Sequence, residues 1–352
     1  MKELQFYRLL IIVLFFVQPG MIQYAASQTT VPPNFRRSPM EIRTIPFDSL
    51  RVSDPFILAD NVSHVYYLTG SGGFLWKSKD MKMWQGPFNV VEIDTTSWMG
   101  QRPMIWAAEL HYYKGKYYYF ATFTNPKVII EKIPGRYDIP RRASHILMAD
   151  KAEGPYKLMK NNIYSPATQA TLDGTLWVED GVPYLIYCHE WLQIVDGTMD
   201  MLQLSPDLSE PVGKPKTMFK ASDGPWSRTM SSIGEITYGK EINGQVTDGP
   251  FLFKTQTGKL GMLWSSWGSH RYSQGVAYSA SGKIAGPWIH EREPLNTYNM
   301  GHGMLFRSFD GELLMLLHYQ NMDPKNPGPR KPTLLKVDDS GDKLKIIGKY
   351  NP

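Results

Sequence analysis

The chain has a single cysteine, Cys188, among its 352 residues. One thiol closes no intramolecular disulfide, and the count excludes cysteine metal fingers and C-x-x-C redox chemistry. It stands in an apolar run, "YLIYC", where a thiol packs as a small hydrophobe. Charge of one sign is never concentrated. The formal net charge is +5, yet Lys and Arg are scattered, with no basic block of the kind that grips nucleic acid. Clear helical periodicity is scarce. Past the N-terminus, no apolar run approaches the roughly 20 residues of a membrane span.

The N-terminal run is itself too short for a stable span. Lys2 and Arg8 flank "LLIIVLFFV" (Leu9–Val17), and Pro19-Gly20 and the small residues Ala25–Ser27 follow. This is the pattern of a signal peptide cut before Gln28. Residues 1–27 are therefore expected to be removed, giving a secreted or periplasmic protein with no membrane span. Residues 28–45, with Pro32-Pro33 and Pro39, read as a polar leader. Residues 46–352 read as one domain, with no room after the last repeat for a second β-sandwich.

What the chain does have is turns and aromatics. Gly (30) and Pro (26) are spread throughout, as many short strands require, and aromatics reach 13%, which suits both β-structure and stacking on sugar faces. Five apolar runs recur: "HVYYLTG" from His64, "GKYYYFATF" from Gly115, "VPYLIYCHE" from Val182, "GKLGMLWSSW" from Gly258 and "GELLMLLHYQ" from Gly311. Each follows a shorter phrase upstream: "SDPFIL", "AAELHYY", "LDGTLWV", "VTDGPFLF" and "GHGMLF". Three units close on Gly-Pro-aromatic, at Gly86-Pro87-Phe88, Gly154-Pro155-Tyr156 and Gly286-Pro287-Trp288. The unit is three or four antiparallel strands, repeated about every 50 to 75 residues. Such a unit cannot bury both faces alone. Stacking five around an axis solves this and hides most sheet edges, so the expected fold is all-β, a five-bladed β-propeller.

In a propeller the innermost strands line the axis, and their heads meet at one mouth. The heads read as Asp54, Glu109, Asp173, Asp248 and His302. A single Asp before Gly or Pro is an ordinary turn residue. Four carboxyls converging with an imidazole are costly to hold without a purpose. Carboxyls in unequal environments suit acid/base chemistry, and two of them flanking a glycosidic bond suffice to hydrolyse it. Trp106 and Trp191 are the first candidates for sugar stacking, with Trp98 and Trp267 behind them. Glu190, in the polar stretch "HEWLQIVDGTMD", is a further binding candidate, and Arg228 and His270-Arg271 are more distant ones. Several acids and one imidazole also suit a hydrated Ca²⁺, since hard cations take oxygen ligands, although nothing requires a cofactor.

Taken together, Asp-Pro in the first unit, "WAAELHYYKGKYYYF", "LDGTLWVEDGVPYLIY", "DGPFLFKTQTGKLGMLWSS" and "GHGMLF" resemble glycoside hydrolase family 43 over about residues 45–320. The resemblance implies an inverting enzyme acting on plant cell-wall poly- or oligosaccharides. An exo-acting α-L-arabinofuranosidase is the leading expectation; β-xylosidase, β-galactosidase and a non-catalytic sugar-binding propeller are the alternatives. It also implies roles: Asp54 as the base that activates water, Asp173 as the residue that raises and orients the donor, and Asp248 as the proton donor. Asp248 stands where the family usually has Glu, so Glu190 and Glu235 are kept as alternative donors. Glu109 falls where the family has Asp and is expected to contact sugar hydroxyls or steady the funnel, and not to transfer the proton. His302 matches the family's axial histidine, which holds a water or a metal-bound water.

Overall fold

The computed structural model describes residues 34–35, 40–135, 137–230, 243–269, 271–322 and 328–352. The expected signal peptide, Glu235 and His270 lie outside the described residues. Among those described, helix is confined to Trp191–Ile194 and two single 3₁₀ turns, and no helix is long and apolar enough to cross a membrane.

Five antiparallel sheets form the blades of a β-propeller. From the axis outwards, the first blade runs Phe56–Asp60, Val65–Thr69, Phe74–Ser78 and Met83–Asn89, and Arg43–Pro46 is added as an outermost fifth strand. Residues 43–45, expected in the leader, are thus part of this sheet. The other four blades each run in sequence order from the axis outwards. Their innermost strands are Met104–Tyr113, Thr171–Glu179, Asp248–Lys254 and Met300–Arg307. The five innermost strands touch one another in a closed ring, the fifth returning to the first.

The long apolar runs are the second strands: Lys116–Lys132, Val182–His189, Leu260–Trp267 and Leu313–Tyr319, with Val65–Thr69 in the first blade. They lack the alternation of a half-exposed strand because both faces of each sheet are covered by neighbouring blades. One apolar cluster fills each of the five gaps. Among the described residues no strand is shared between the first and last blades. Their join is made by Phe56, Ile57, Leu68 and Trp84 packing on Met304, Phe306, Leu316 and Leu334. A fully buried large side chain contributes roughly 1.5–3 kcal/mol, against about 1 kcal/mol for a hydrogen bond. Interblade packing therefore carries the ring.

Four of the five inner strands open on the same irregularity, and it corrects the alignment of heads read from sequence. In blades two to five, one extra residue interrupts the pairing: between Trp106 and Glu109, Leu172 and Thr175, Asp248 and Phe251, and Gly301 and Met304. These are β-bulges, and each puts one residue in the left-handed region. The equivalent residues are Asp54 (φ 53°), Ala107 (φ 42°), Asp173 (φ 55°), Gly249 (φ 50°) and His302 (φ 56°). Small or cyclic residues follow them: Pro55, Ala108, Gly174, Pro250 and Gly303. Repetition therefore lies in the bulge and not in a polar head. Glu109 is two residues beyond its blade's bulge position, and Asp248 is one before it.

Candidate active site

A bulge leaves its first N–H without a ladder partner, and a buried donor needs one. Here a side chain of the preceding blade supplies it each time. Asp54 N–H donates to His318 Nδ1 (3.2 Å), Ala107 N–H to Ser71 Oγ (3.0 Å) and Asp173 N–H to Thr122 Oγ1 (2.8 Å). Gly249 N–H donates to Asp173 Oδ2 (3.1 Å), and His302 N–H to Ser265 Oγ (2.8 Å). The five bonds close a circle round the axis. In the register of the sheets, His318, Thr122 and Ser265 face Gly301, Trp106 and Asp248, and the equivalent residue of the third blade is Cys188, facing Leu172. A thiol is a weak acceptor. At that one step a bulge residue itself, Asp173, accepts the bond.

The circle forms the floor of a funnel of about 460 Å³, within the usual range of small-molecule sites. Asp54, Asp173, Asp248 and His302 line it, and so do Trp106, Glu190 and Trp191. The structure adds Ser53, Ser71, Arg142, Leu172, Leu192 and Arg330. Glu109 is not among the lining. It borders a second, water-sized cavity deeper along the axis with Phe56, Phe251 and His302, and its Oε2 lies 2.8 Å from His111 Nε2. A substrate in the funnel would not meet it there. Trp98 is packed edge-on against His145, Trp267 edge-on against Tyr272, and Arg228 is bonded to the carbonyls of Pro225 and Ser227; none of the three lines the funnel.

The three aspartates have different surroundings. Around Asp54, burial opposes ionisation, but His302 (Nδ1 to Oδ1 3.5 Å) and Arg330 (Nη1 to Oδ1 3.5 Å) override it and hold the carboxyl far below the usual range. Ser71 Oγ–H donates to its Oδ2. Asp173 is pushed up to about 7, first by burial and then by the charge of Asp54, against the bond from Gly249 and one shared with Asp248. Asp248 is raised well above the ordinary value by burial and by the charge of Asp173, although Tyr272 O–H donates to its Oδ2 at 3.0 Å. His318 is lowered to about 4 by burial, so near neutrality it is free to accept the Asp54 N–H. The floor therefore holds a carboxyl of lowered proton affinity on one side and one of raised proton affinity on the other, with Asp173 between them in interaction.

Glu190 plays a different part. It is buried and ion-paired with Arg142, whose Nε donates to Thr124 Oγ1 (3.1 Å) and whose guanidinium carbon lies 4.2 Å from the centre of the Trp106 ring. That pairing makes Glu190 the anionic half of a buried ion pair. Among the described residues no group of three or more His, Cys, Asp and Glu side chains is arranged to hold a metal ion. A Ca²⁺ near His302 would rest largely on water ligands.

Tyr272, His318, Arg330, Arg142 and Ser71 were not singled out in the sequence. His318 alone had a signal, as the polar end of "LLMLLHYQ" beside a chain of apolar residues. The others sit on strands or loops that only the ring brings together.

The family model for glycosyl hydrolases family 43 matches residues 43–342. Comparison with curated proteins finds no match. Among solved structures, the endo-arabinase from Bacteroides thetaiotaomicron VPI-5482 is 34% identical, with a TM-score of 0.72 over 87% of this chain and 99% of that one. The α-L-arabinofuranosidase from Lactobacillus brevis (17% identical, TM-score 0.63, 86% and 95% covered) and an endo-1,4-β-xylanase from Bacteroides thetaiotaomicron VPI-5482 (20%, 0.62, 85% and 95%) share the fold. A matched model across most of the chain, a relative above 30% identity over nearly its whole length, and acids in unequal surroundings at the floor of one funnel lead to the same place: the chain belongs to glycosyl hydrolase family 43 and is a glycoside hydrolase.

Proposed function

We propose that this enzyme removes terminal α-L-arabinofuranosyl units from plant polysaccharide side chains, with inversion at the anomeric carbon. The observation that carries the mechanism is the split in surroundings between Asp54, with His302 and Arg330 each 3.5 Å from its Oδ1, and Asp248, buried beside Asp173 with the Tyr272 hydroxyl on its Oδ2, which favours the ionised form of the first and the protonated form of the second. Asp54 takes a proton from water as the water oxygen bonds to the anomeric carbon. The bond from that carbon to the leaving oxygen breaks, and its electron pair takes the proton of Asp248. Asp173, beside both, keeps Asp248 protonated through its charge and shared hydrogen bond. After product leaves, solvent removes the proton from Asp54 and returns one to Asp248. Trp106 offers a flat ring to the sugar, and Arg142 fixes that ring from one side.

End-on entry is supported by the convergence of Asp54, Asp173 and Asp248 in one funnel of about 460 Å³, the size of a small-molecule site. Export to the periplasm or the medium, as the N-terminal pattern suggests, would bring the enzyme to such polymers. Internal cleavage of an arabinan backbone is the second reading, favoured by the 34% identity to an endo-arabinase. Chromatography of the products from branched arabinan, debranched arabinan and arabinoxylan separates them. Arabinose alone as the early product supports the first reading, and a ladder of oligomers from debranched arabinan supports the second. Release of xylose or galactose instead would replace the sugar assignment.

A further inference from the structure

The proton donor of this site is an aspartate, one methylene shorter than glutamate, so its reach and rotamer leave little slack. One residue outside the funnel lining is built against it. Tyr272, at the start of the third strand of blade four, is buried, and its hydroxyl donates to Oδ2 of Asp248 at 3.0 Å. The ring is held on two sides. It stacks on His318 with centroids 5.5 Å apart and planes 5° from parallel. It also lies against the backbone of Gly301, where an added Cβ would stand 2.4 Å from the tyrosine ring. Gly301 and His318 are paired neighbours at the head of blade five, so that blade forms a slot for a side chain of blade four. His318 in turn accepts the N–H of Asp54. Donor and base are thus connected behind the funnel through one phenol and one imidazole.

We propose that Tyr272 is a positioning residue for the proton donor: by donating to Oδ2 of Asp248 it places the acid proton on Oδ1 and fixes that oxygen for delivery to the leaving group. The chemistry follows from the carboxylic acid itself. Its carbonyl oxygen is the better acceptor and its hydroxyl oxygen the poorer, so a donor fixed at Oδ2 selects the form protonated on Oδ1. Burial pushes the Tyr272 pKa up, so the phenol remains a donor throughout the working range. The inference rests on Asp248 being the donor, and the test separates the two.

Turnover by wild type, Tyr272→Phe and Asp248→Asn is compared on aryl glycosides of the released sugar, with leaving groups ranging from dinitrophenol to phenol. A good leaving group departs without protonation, whereas a poor one needs the donor. Tyr272→Phe is expected to lower kcat about tenfold on phenyl glycosides, the size of one hydrogen bond, with little change on dinitrophenyl glycosides, KM or Tm. Gly301→Ala, which crowds the ring from the other side, is expected to reproduce that graded pattern. An equal loss on every leaving group, or no loss on any, overturns the role of Tyr272 when Asp248→Asn still shows the graded pattern. If Asp248→Asn is itself ungraded, the donor assignment falls, and this inference with it.

Discussion

The backbone N–H of Gly249 donates to Oδ2 of Asp173 at 3.1 Å. This bond joins the third blade to the fourth, and it ties the middle acid of the floor to the residue next to Asp248. Gly249 sits at φ 50°, and a Cβ there would stand 2.8 Å from the His302 ring. Gly249→Ala should therefore displace His302 and loosen Asp173 together. Kinetics should show a fall in kcat of at least about tenfold, with a loss of stability of about 1–2 kcal/mol from the left-handed backbone alone.

Asp54→Asn removes the base and keeps the shape. Turnover should fall by a factor of about 10² to 10⁴, the range for one general base, while the variant still binds sugar. Calorimetric titration with the released sugar, alongside an activity assay, checks both halves of that outcome.

The proposed mechanism requires Asp54 ionised and Asp248 protonated. The acidic limb of the pH profile then follows Asp54, and the basic limb follows the pair formed by Asp173 and Asp248. Arg330→Met removes a positive charge 3.5 Å from Asp54 Oδ1. The Asp54 pKa should rise, and the acidic limb should move to higher pH. A profile of kcat/KM with an unmoved acidic limb would refute the assignment of the base.

Asp173 binds its proton more tightly folded, at about 7, than unfolded, at about 3.9. Its contribution to stability is fully present below the ordinary carboxylate range and is lost as pH rises through about 7. Asp173→Asn should remove that dependence. The variant should melt above wild type at pH 8 and lose its advantage near pH 4, with activity abolished throughout. Thermal scans across that window measure the difference.

Arg142 and Glu190 form a buried pair, and deleting one partner leaves the other charge uncompensated. Arg142→Met should cost about 3–5 kcal/mol of stability, and the double variant with Glu190→Met should recover most of it. Denaturant titration of the single and double variants tests this. A proton-donating Glu190 would instead show the leaving-group dependence expected of Asp248.

Cys188 occupies the place where other blades carry His, Thr or Ser acceptors. Cys188→Ser adds a hydroxyl that competes for the Gly249 N–H, so Asp173 loses a bond that lowers its pKa. The basic limb should then move to higher pH, whereas Cys188→Ala should leave it unchanged.

The amino-acid sequence by itself determined the propeller. Five apolar runs with turn residues at regular spacing can bury both faces only by stacking, and that logic is local and periodic. It also made the positions of Asp54, Asp173 and His302 at the strand heads legible, because a left-handed residue followed by Pro or Gly leaves a readable dipeptide in the chain. Asp248 was legible through the same frame, one residue out of register. Glu109 departs from the pattern for a physical reason: the bulge of blade two is built on Ala107-Ala108, which carries no polar mark, and the nearest acid stands two residues beyond it. Tertiary structure alone decided the rest. Closure of the ring set Arg330 and His318 of the last blade against Asp54 of the first, 264 residues from His318. It also set Tyr272 behind Asp248 and Arg142 over Trp106. The unequal proton affinities of three aspartates come from those long-range neighbours and from burial, and neither is a property of a residue's place in the chain.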